Sequence, residues 1–430
     1  MAKRSYRRVL FAGVLGLGSA VLVGPLAAGP TAAAGPADRP PVAPVLLTAP
    51  DAVTQAVDIS PSGVVVGTAA PQPASTGGMT APPAATGWRW LPVRGAYVGQ
   101  ELSVPVGTTS VSIAGVTDLG EAGGTVQSSA ISRQPVRWSV SGRQTTPLGS
   151  AAGGPTTPNA ISTTSAVGPA QWAVSTTDTI SGAATLVARN GIRTELSGTP
   201  DLTEARIVTA YSIGGPNTAL LGTTSGVGQG STGNSVIWRN GATLTLPVFS
   251  SFPLGNDCTS AIQPDGSVAY SGPEGFNSDG VVTAIALHRG GIPGTEMALP
   301  TGGRAASVGC PSLDTLSADG SVVGQLAATA TQPAEAALWR NGILVPLGVR
   351  AGESATALAV ATRGRVVLVA TTTAGVSRPY LWSNGVRTPL ALPTGWTLRS
   401  VVELTDAGAV LANLRNAAGD VRPVVWNTGR

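Results

Sequence analysis

His288 is the only imidazole this chain can offer as a general base. A serine hydrolase would have to be built on it, since a base must take the serine proton, and a multi-histidine zinc site is excluded. No G-x-S-x-G elbow, phosphate-cradling glycine loop or dinucleotide fingerprint occurs. Carboxylic acids are more plentiful, with 22 Asp and Glu, so two for glycoside chemistry are available in number. Asp265, Asp319 and Asp406, however, each stand one or two residues before a turn glycine, where a carboxylate caps the turn. With these set aside no pair stands out, and no residue is assigned a catalytic role. Cys258 and Cys310 lack C-x-x-C spacing; in an exported protein they are expected to form a structural disulfide.

Binding chemistry has more candidates. Trp396 lies in Leu392–Arg399, L-P-T-G-W-T-L-R, and a Trp in a Gly/Pro connection can stack on a sugar ring or cap a neighbouring loop. Trp88 borders Thr68–Gly87, a stretch rich in Pro, Ser, Thr and Gly. Ser271–Gly280, S-G-P-E-G-F-N-S-D-G, places Glu274, Asn277, Ser278 and Asp279 close together around Phe276. That spacing matches no calcium loop with a fixed ligand order, so a polar turn is the simpler reading. Trp396, Trp88, Glu274, Phe276 and Asp279 are the ligand-binding candidates, with no metal and no cofactor expected.

These residues hang on a repeat. Val236–Pro247 reads V-I-W-R-N-G-A-T-L-T-L-P, two apolar runs flanking Asn240-Gly241. Asn-Gly is the strongest short hairpin signal, because both central residues of a type I′ turn need positive φ. Aligning on the position before such turns gives eight units, at Trp90, Trp138, Ala188, Trp238, His288, Trp339, Trp382 and Trp426, with steps of 43 to 51 residues. His288 thus stands where most units carry a packing Trp. The six pattern Trp are expected as core wedges; Trp88, Trp172 and Trp396 fall outside the pattern.

Upstream of each is a second hairpin, as in Ala56–Thr68 (A-V-D-I-S-P-S-G-V-V-V-G-T) and Thr315–Leu326 (T-L-S-A-D-G-S-V-V-G-Q-L). In units three and four, around Ile161 and Ile213, it is degenerate. Two hairpins make a four-stranded meander with two faces to bury, and stacking such units in a closed ring buries both. Repeats of this length with four strands each are β-propeller blades rather than helical repeats. The expectation is an all-β, single eight-bladed propeller of four-stranded antiparallel blades. Arg430 ends the chain right after the last unit's turn, so Val42–Ala49 is expected to supply that unit's outer strand. Cys258 and Cys310 would then cross-link neighbouring blades.

Ala337–Gly342 (A-L-W-R-N-G), Tyr380–Gly385 (Y-L-W-S-N-G), Ile59–Gly67 and Ser317–Gly324 resemble the HAF-type repeats of secreted bacterial proteins, which pair a W-x-x-G strand with an I-N/S-x-x-G-x-V-V-G hairpin. The resemblance is one of pattern, without the His-Ala-Phe triplet. It implies a propeller-like architecture and export, and no particular activity.

Export has its own signal. Lys3, Arg4, Arg7 and Arg8 precede the apolar run Val9–Val23, and Ala32-Ala33-Ala34 offers small residues for cleavage. Residues 1–34 read as a signal peptide of the general secretory or twin-arginine type, and 35–430 as one domain. Of 26 Lys and Arg, four lie in the signal, leaving 22 against 22 acids. A neutral chain lacks the basic face a nucleic-acid binder needs, and no later stretch looks membrane-spanning. The expectation is a monomeric, secreted or wall-associated binding scaffold holding a glycan, cell-wall polymer or protein on one loop face. The alternatives are a polysaccharide-active enzyme with carboxylates at the channel mouth and a structural envelope protein.

Overall fold

The computed structural model describes residues 39–49, 53–71, 84–129, 132–154, 159–178, 181–196, 207–225, 232–246, 258–277, 280–290, 297–308 and 314–429. Residues 1–34, read from sequence as a signal peptide, Cys310, Asp279 and most of the Thr68–Gly87 stretch lie outside them.

The chain is all-β, and its strands fall into consecutive antiparallel meanders. Units two to seven each form a separate four-stranded sheet with strands in chain order. Unit one comprises Val53–Ile59, Val65–Ala70, Thr86–Val93 and Ala96–Glu101. It is joined to unit eight, Trp396–Leu404, Ala409–Asn416 and Val421–Asn427, through one parallel bridge, Val53 to Val421, making an eight-stranded sheet. The outer strand of unit eight is Val45–Leu46, antiparallel to Val421–Asn427 with Val45 opposite Val425. The terminal strand closes the last unit as the sequence pattern predicts.

Turn chemistry explains the local structure. Asn240-Gly241, Asn341-Gly342 and Asn384-Gly385 have positive φ at both central residues, and Arg94-Gly95 adopts the same turn. At Ser141-Gly142 and Asn190-Gly191 only the glycine is left-handed. The first-hairpin turn of unit four, obscure in the sequence, falls at Pro216–Asn217, and Asn217 has φ 55°.

Packing runs between units. Trp90, Trp138, Trp238, Trp339, Trp382 and Trp426 are all buried. Each consecutive pair of units shares an apolar cluster. Unit eight shares one with unit one, where Leu411 and Val425 meet Leu47, Ala56, Ile59 and Trp90. Burial of such side chains removes ~150–250 Å² from water for each aromatic. A recurring bond orients the wedges. The Trp indole N–H donates to a carbonyl just beyond the preceding unit's outer strand: Trp138 to Ser103 (2.7 Å), Trp339 to Pro300 (2.7 Å) and Trp426 to Ala391 (2.9 Å). Trp90 donates to Thr48 at 2.8 Å, so Val45–Leu46 plays the outer-strand role in this bond as well.

Unit three has Ala188 at the Trp position, and Trp172 compensates from the adjacent strand. It is fully buried, beneath the Arg137 guanidinium at 5.1 Å. A Cβ on Gly123 would stand 2.4 Å from its ring, so only glycine fits there. Trp172 is therefore a core residue displaced by one strand.

With a shared core at each successive junction and between last and first, the meanders form a ring. The residues lining the axial cavity come from the first strands of units one to four and from the corresponding segments at Ala261, Asp314 and Val402–Glu403. That arrangement is a β-propeller.

Candidate functional site

The site grows out of one backbone irregularity. The first strands of units one, two, three, four, seven and eight carry a register shift just before Asp58, Gly115, Ala166, Ser212, Ala359 and Glu403 respectively. A β-bulge re-aims the side chain that follows it. The motif glycine of the second strand makes room for the bulge. A Cβ on Gly67 would lie 2.1 Å from the Gln55 carbonyl oxygen, and one on Gly124 would lie 2.2 Å from that of Ser112. Four of the six post-bulge residues are small. In units eight and one, the two that meet where the chain ends meet, the position is Glu403 and Asp58.

Three of the six post-bulge side chains serve the next unit. Glu403 Oε2 accepts the Ile59 N–H (3.2 Å), Asp58 Oδ2 the Val116 N–H (2.7 Å), and Ser212 Oγ the Ile262 N–H (3.2 Å). Ile59, Val116 and Ile262 belong to units one, two and five. Ala359 has no acceptor to give, and the Leu404 N–H instead bonds Asp314 Oδ2 at 2.8 Å. Space is made for the carboxylate as well: a Cβ on Gly115 would stand 2.7 Å from Asp58 Oδ2.

Asp58 and Glu403 meet at the Ile59 N–H, which lies 2.8 Å from Asp58 Oδ1 and 3.2 Å from Glu403 Oε2, and this places the two carboxyls within reach of a mutual hydrogen bond. Two carboxyls can share such a bond only when one holds a proton. Burial pushes Asp58 up, against hydrogen bonds from Glu403, Val116 N–H and Ile59 N–H. Glu403 is raised well above the usual range by burial, by the charges of Asp314 and Asp58, and by its bond to Asp58. Burial, opposed by the Leu404 N–H and reinforced by Asp58 and Asp406, lifts Asp314 to about 7.

These acids face a cavity of about 460 Å³. Asp58, Asp118, Asp314 and Glu403 line it, and no Arg, Lys or His does so among the described residues. A second cavity of about 380 Å³ shares Asp118, Asp314 and Glu403 and adds Asp406. Asp58, Asp314 and Glu403 are half-buried: protein crowds them, and each keeps an edge on the cavity. Among the described residues no group of three or more His, Cys, Asp or Glu side chains is arranged to hold a metal ion.

Of the described residues expected from sequence to bind a ligand, Trp396, Glu274 and Phe276 sit toward the other end of their strands, and Trp88 stands mid-strand opposite Gly67. Trp396 opens its strand opposite Asn416, eight residues before Leu404, or roughly 27 Å at 3.4 Å per residue. Its ring is half-buried against the cluster of Leu404 and Leu414, so the expected exposed loop is in part core. Trp88 is half-buried in Thr86–Val93, its ring 6.4 Å from that of Trp90 and its indole N–H on Thr86 Oγ1 at 2.8 Å. Glu274 and Phe276 belong to the strand Val268–Asn277, which replaces most of the expected turn. His288 is buried and absent from the lining of either cavity.

The turn acids divide. Asp265 Oδ1 accepts the Ser267 N–H at 2.8 Å, and Asp319 Oδ1 the Ser321 N–H at 3.1 Å, both local caps. Asp406 instead reaches across to the Thr362 N–H at 2.8 Å, while Asp319 Oδ2 takes the Arg363 N–H at 2.9 Å. Together they hold the turn of unit seven, in which Arg363 has φ 66°. Asp58, Asp314 and Glu403 were missed because each stands next to or between apolar residues, as core-strand residues do. Aligning the units on the turn glycine shows the signal for two of them: Asp58 and Glu403 stand where units two and seven have Gly115 and Ala359, and Asp314 stands one position earlier than the aligned Thr315.

No family model matches the chain, and no curated protein matches it either. Among solved structures, similarity extends to the β-propeller domain of the Trilobed protease from Pyrococcus furiosus (9% identity, 80% of this chain and 99% of that chain, TM-score 0.46). It extends also to the Pyrococcus horikoshii acylaminoacyl peptidase (8%, 87% and 51%, 0.47). A third is a streptogramin B lyase (12%, 89% and 96%, 0.38). The fold assignment rests on the strand topology above, and by that topology the chain is a β-propeller.

Proposed function

We propose that this protein is an exported binding propeller whose ligand enters the acid-lined axial cavity. The observation that carries this reading is the convergence of Asp58, Asp118, Asp314 and Glu403 on one cavity without a basic side chain in its lining. Carboxyls so placed accept hydrogen bonds from hydroxyl and amino groups, the groups that a glycan or cell-wall polymer presents. The bearer is an eight-bladed ring with unit eight completed by the N-terminal strand, supported by the eight aligned units and by the Trp90–Thr48 bond. Export by way of residues 1–34, a secreted or wall-associated location, a monomeric state and a Cys258–Cys310 bridge belong to the same reading.

Binding of the full chain to arrayed glycans and isolated wall polymers tests it, alongside Asp314→Asn and Trp396→Ala. Saturable binding weakened at least tenfold by Asp314→Asn and retained in Trp396→Ala is the expected result. The reverse pattern moves the site to the Trp396 face, and binding indifferent to both variants removes the cavity from the account.

A second reading has one specific observation behind it. Asp314, lifted to about 7, can hold a proton near neutral pH as a general acid must. Cleavage of a polysaccharide abolished by Asp314→Asn, with binding intact, would favour an enzyme.

A further inference from the structure

The seam where the chain ends meet differs from the other junctions in its connectivity. The closing strand Val45–Leu46 runs on into unit one, whereas Trp396–Leu404, Ala409–Asn416 and Val421–Asn427 meet that N-terminal segment only through non-covalent contacts. Beside the shared apolar cluster, the polar contacts are specific. Val45–Leu46 pairs with Val421–Asn427, and Val53 bridges Val421. Asn413 Oδ1 accepts the Ala56 N–H at 2.8 Å, and its Nδ2 donates to the Ala56 carbonyl at 3.0 Å. Arg422 donates to Thr54 Oγ1 at 3.2 Å. At the channel end the Ile59 N–H is shared between Asp58 Oδ1 (2.8 Å) and Glu403 Oε2 (3.2 Å).

We propose that this acid-held junction is a pH-operated latch: one proton held between Asp58 and Glu403 closes the ring where the chain ends meet, and its release to solvent loosens that junction. Closed, the pair carries a single negative charge, and both carboxyls can converge on the Ile59 N–H. Open, two carboxylates face one another across the junction and repel at short range in a site poor in water.

The surroundings sharpen the repulsion. Asp118 approaches from unit two, Asp314 from unit six and Asp406 from unit eight, all acidic. Arg365 of unit seven donates to the Asp406 carbonyl oxygen, and Arg422 is engaged with Thr54; neither lines the cavities. Burial and the neighbouring acids raise both members of the pair. A raised carboxyl stabilises the closed form most at acid pH, and that contribution falls as pH rises from about 4 toward the folded-state values.

The proposal stands apart from the ligand reading, and its test uses no ligand. Amide hydrogen exchange of the full chain at pH 5 and pH 8, expressed as protection factors, compares two sets of amides. Ala56 and Ile59 report the latch. Thr164 and Ile262, which bond the hydroxyls of Thr125 (2.9 Å) and Ser212 (3.2 Å), report junctions with no titrating partner. Protection at the latch should fall at least tenfold between the two pH values while the hydroxyl-held amides change less than threefold. Glu403→Gln, which keeps an N–H donor toward Asp58 and an oxygen for Ile59, should abolish the difference. Equal responses of the two sets in the native chain, or a latch-specific fall that persists in Glu403→Gln, would overturn it. Should Glu403→Gln fail to fold, the comparison within the native chain decides alone.

Discussion

Two junctions of the ring perform the same task with different chemistry. Between units two and three, Thr125 of the second strand accepts the N–H of Thr164, the residue before the bulge of the next unit. Thr164 in turn gives its hydroxyl to the Gly124 carbonyl. Between units eight and one, Asn413 stands at the position matching Thr125 and serves both the N–H and the carbonyl of Ala56. Beyond that point the two junctions part. Gly115 follows the bulge of unit two, whereas Glu403 follows that of unit eight and reaches Ile59. The two–three junction is held by hydroxyls whose bonds do not vary with pH. The seam where the C-terminal strands meet the N-terminal segment is held by the Asn413 amide and a pair of carboxyls. No backbone joins Val421–Asn427 to its partner strand Val45–Leu46, and hydrogen bonds to charged groups are stronger than those between neutral ones.

The largest loss should come from the apolar wedges and be alike at both junctions. Trp172→Ala at the two–three junction and Trp90→Ala at the terminal junction should each cost about 3–5 kcal/mol, read as a shift of the urea midpoint. A much smaller cost at Trp90 would mean that the terminal junction is already loose in the native ring. Next comes Asn413→Leu, which strands two backbone groups of Ala56 and should cost about 2–4 kcal/mol. Thr125→Val removes a single acceptor and should cost about 1–2 kcal/mol; losses of equal size would erase the distinction between the junctions.

Gly67→Ala drives a methyl group against the Gln55 carbonyl and should cost about 1–3 kcal/mol through strain in the bulge. Because the bulge aims Asp58, the same variant should also alter the pH dependence of melting. The smallest effect concerns Asp314. Its carboxyl is raised to about 7, so its contribution to stability is complete below about 4 and declines up to about 7. Asp314→Asn should flatten the melting temperature over that interval; an unchanged slope would remove Asp314 from the titrating set. Asp319 has the opposite sign. Burial opposes its charge, but hydrogen bonds from Ser317, Arg363 and Ser321 hold it below the usual range. Its contribution is present at neutral pH and is lost in acid.

Much of this was legible from the chain alone. Asn-Gly pairs require positive φ at two residues, so the outer hairpins could be placed within a residue or two. Trp recurring at the position before the outer turn marked the wedges, and the short last unit pointed to Val42–Ala49, within which Val45–Leu46 pairs with Val421–Asn427. Trp172 was not legible as a wedge, because its partner is the vacant Cβ of Gly123 in the neighbouring unit, 49 residues away in sequence. Asp406 read as a local cap for a similar reason: its amide partner is Thr362, supplied by another unit.

The sequence by itself determined the repeat, the meander and the closing strand, because turn φ, strand alternation and period are local properties that a short window of residues expresses. Only the tertiary structure decided which end of the channel is acidic and which acids act together. Asp58 and Glu403 are 345 residues apart in the chain, and their charge states depend on burial and on one another. A bulge turns each side chain toward the axis, and ring closure brings the first and last units face to face. Proximity of that kind comes from the closed ring and leaves no periodic trace along the chain.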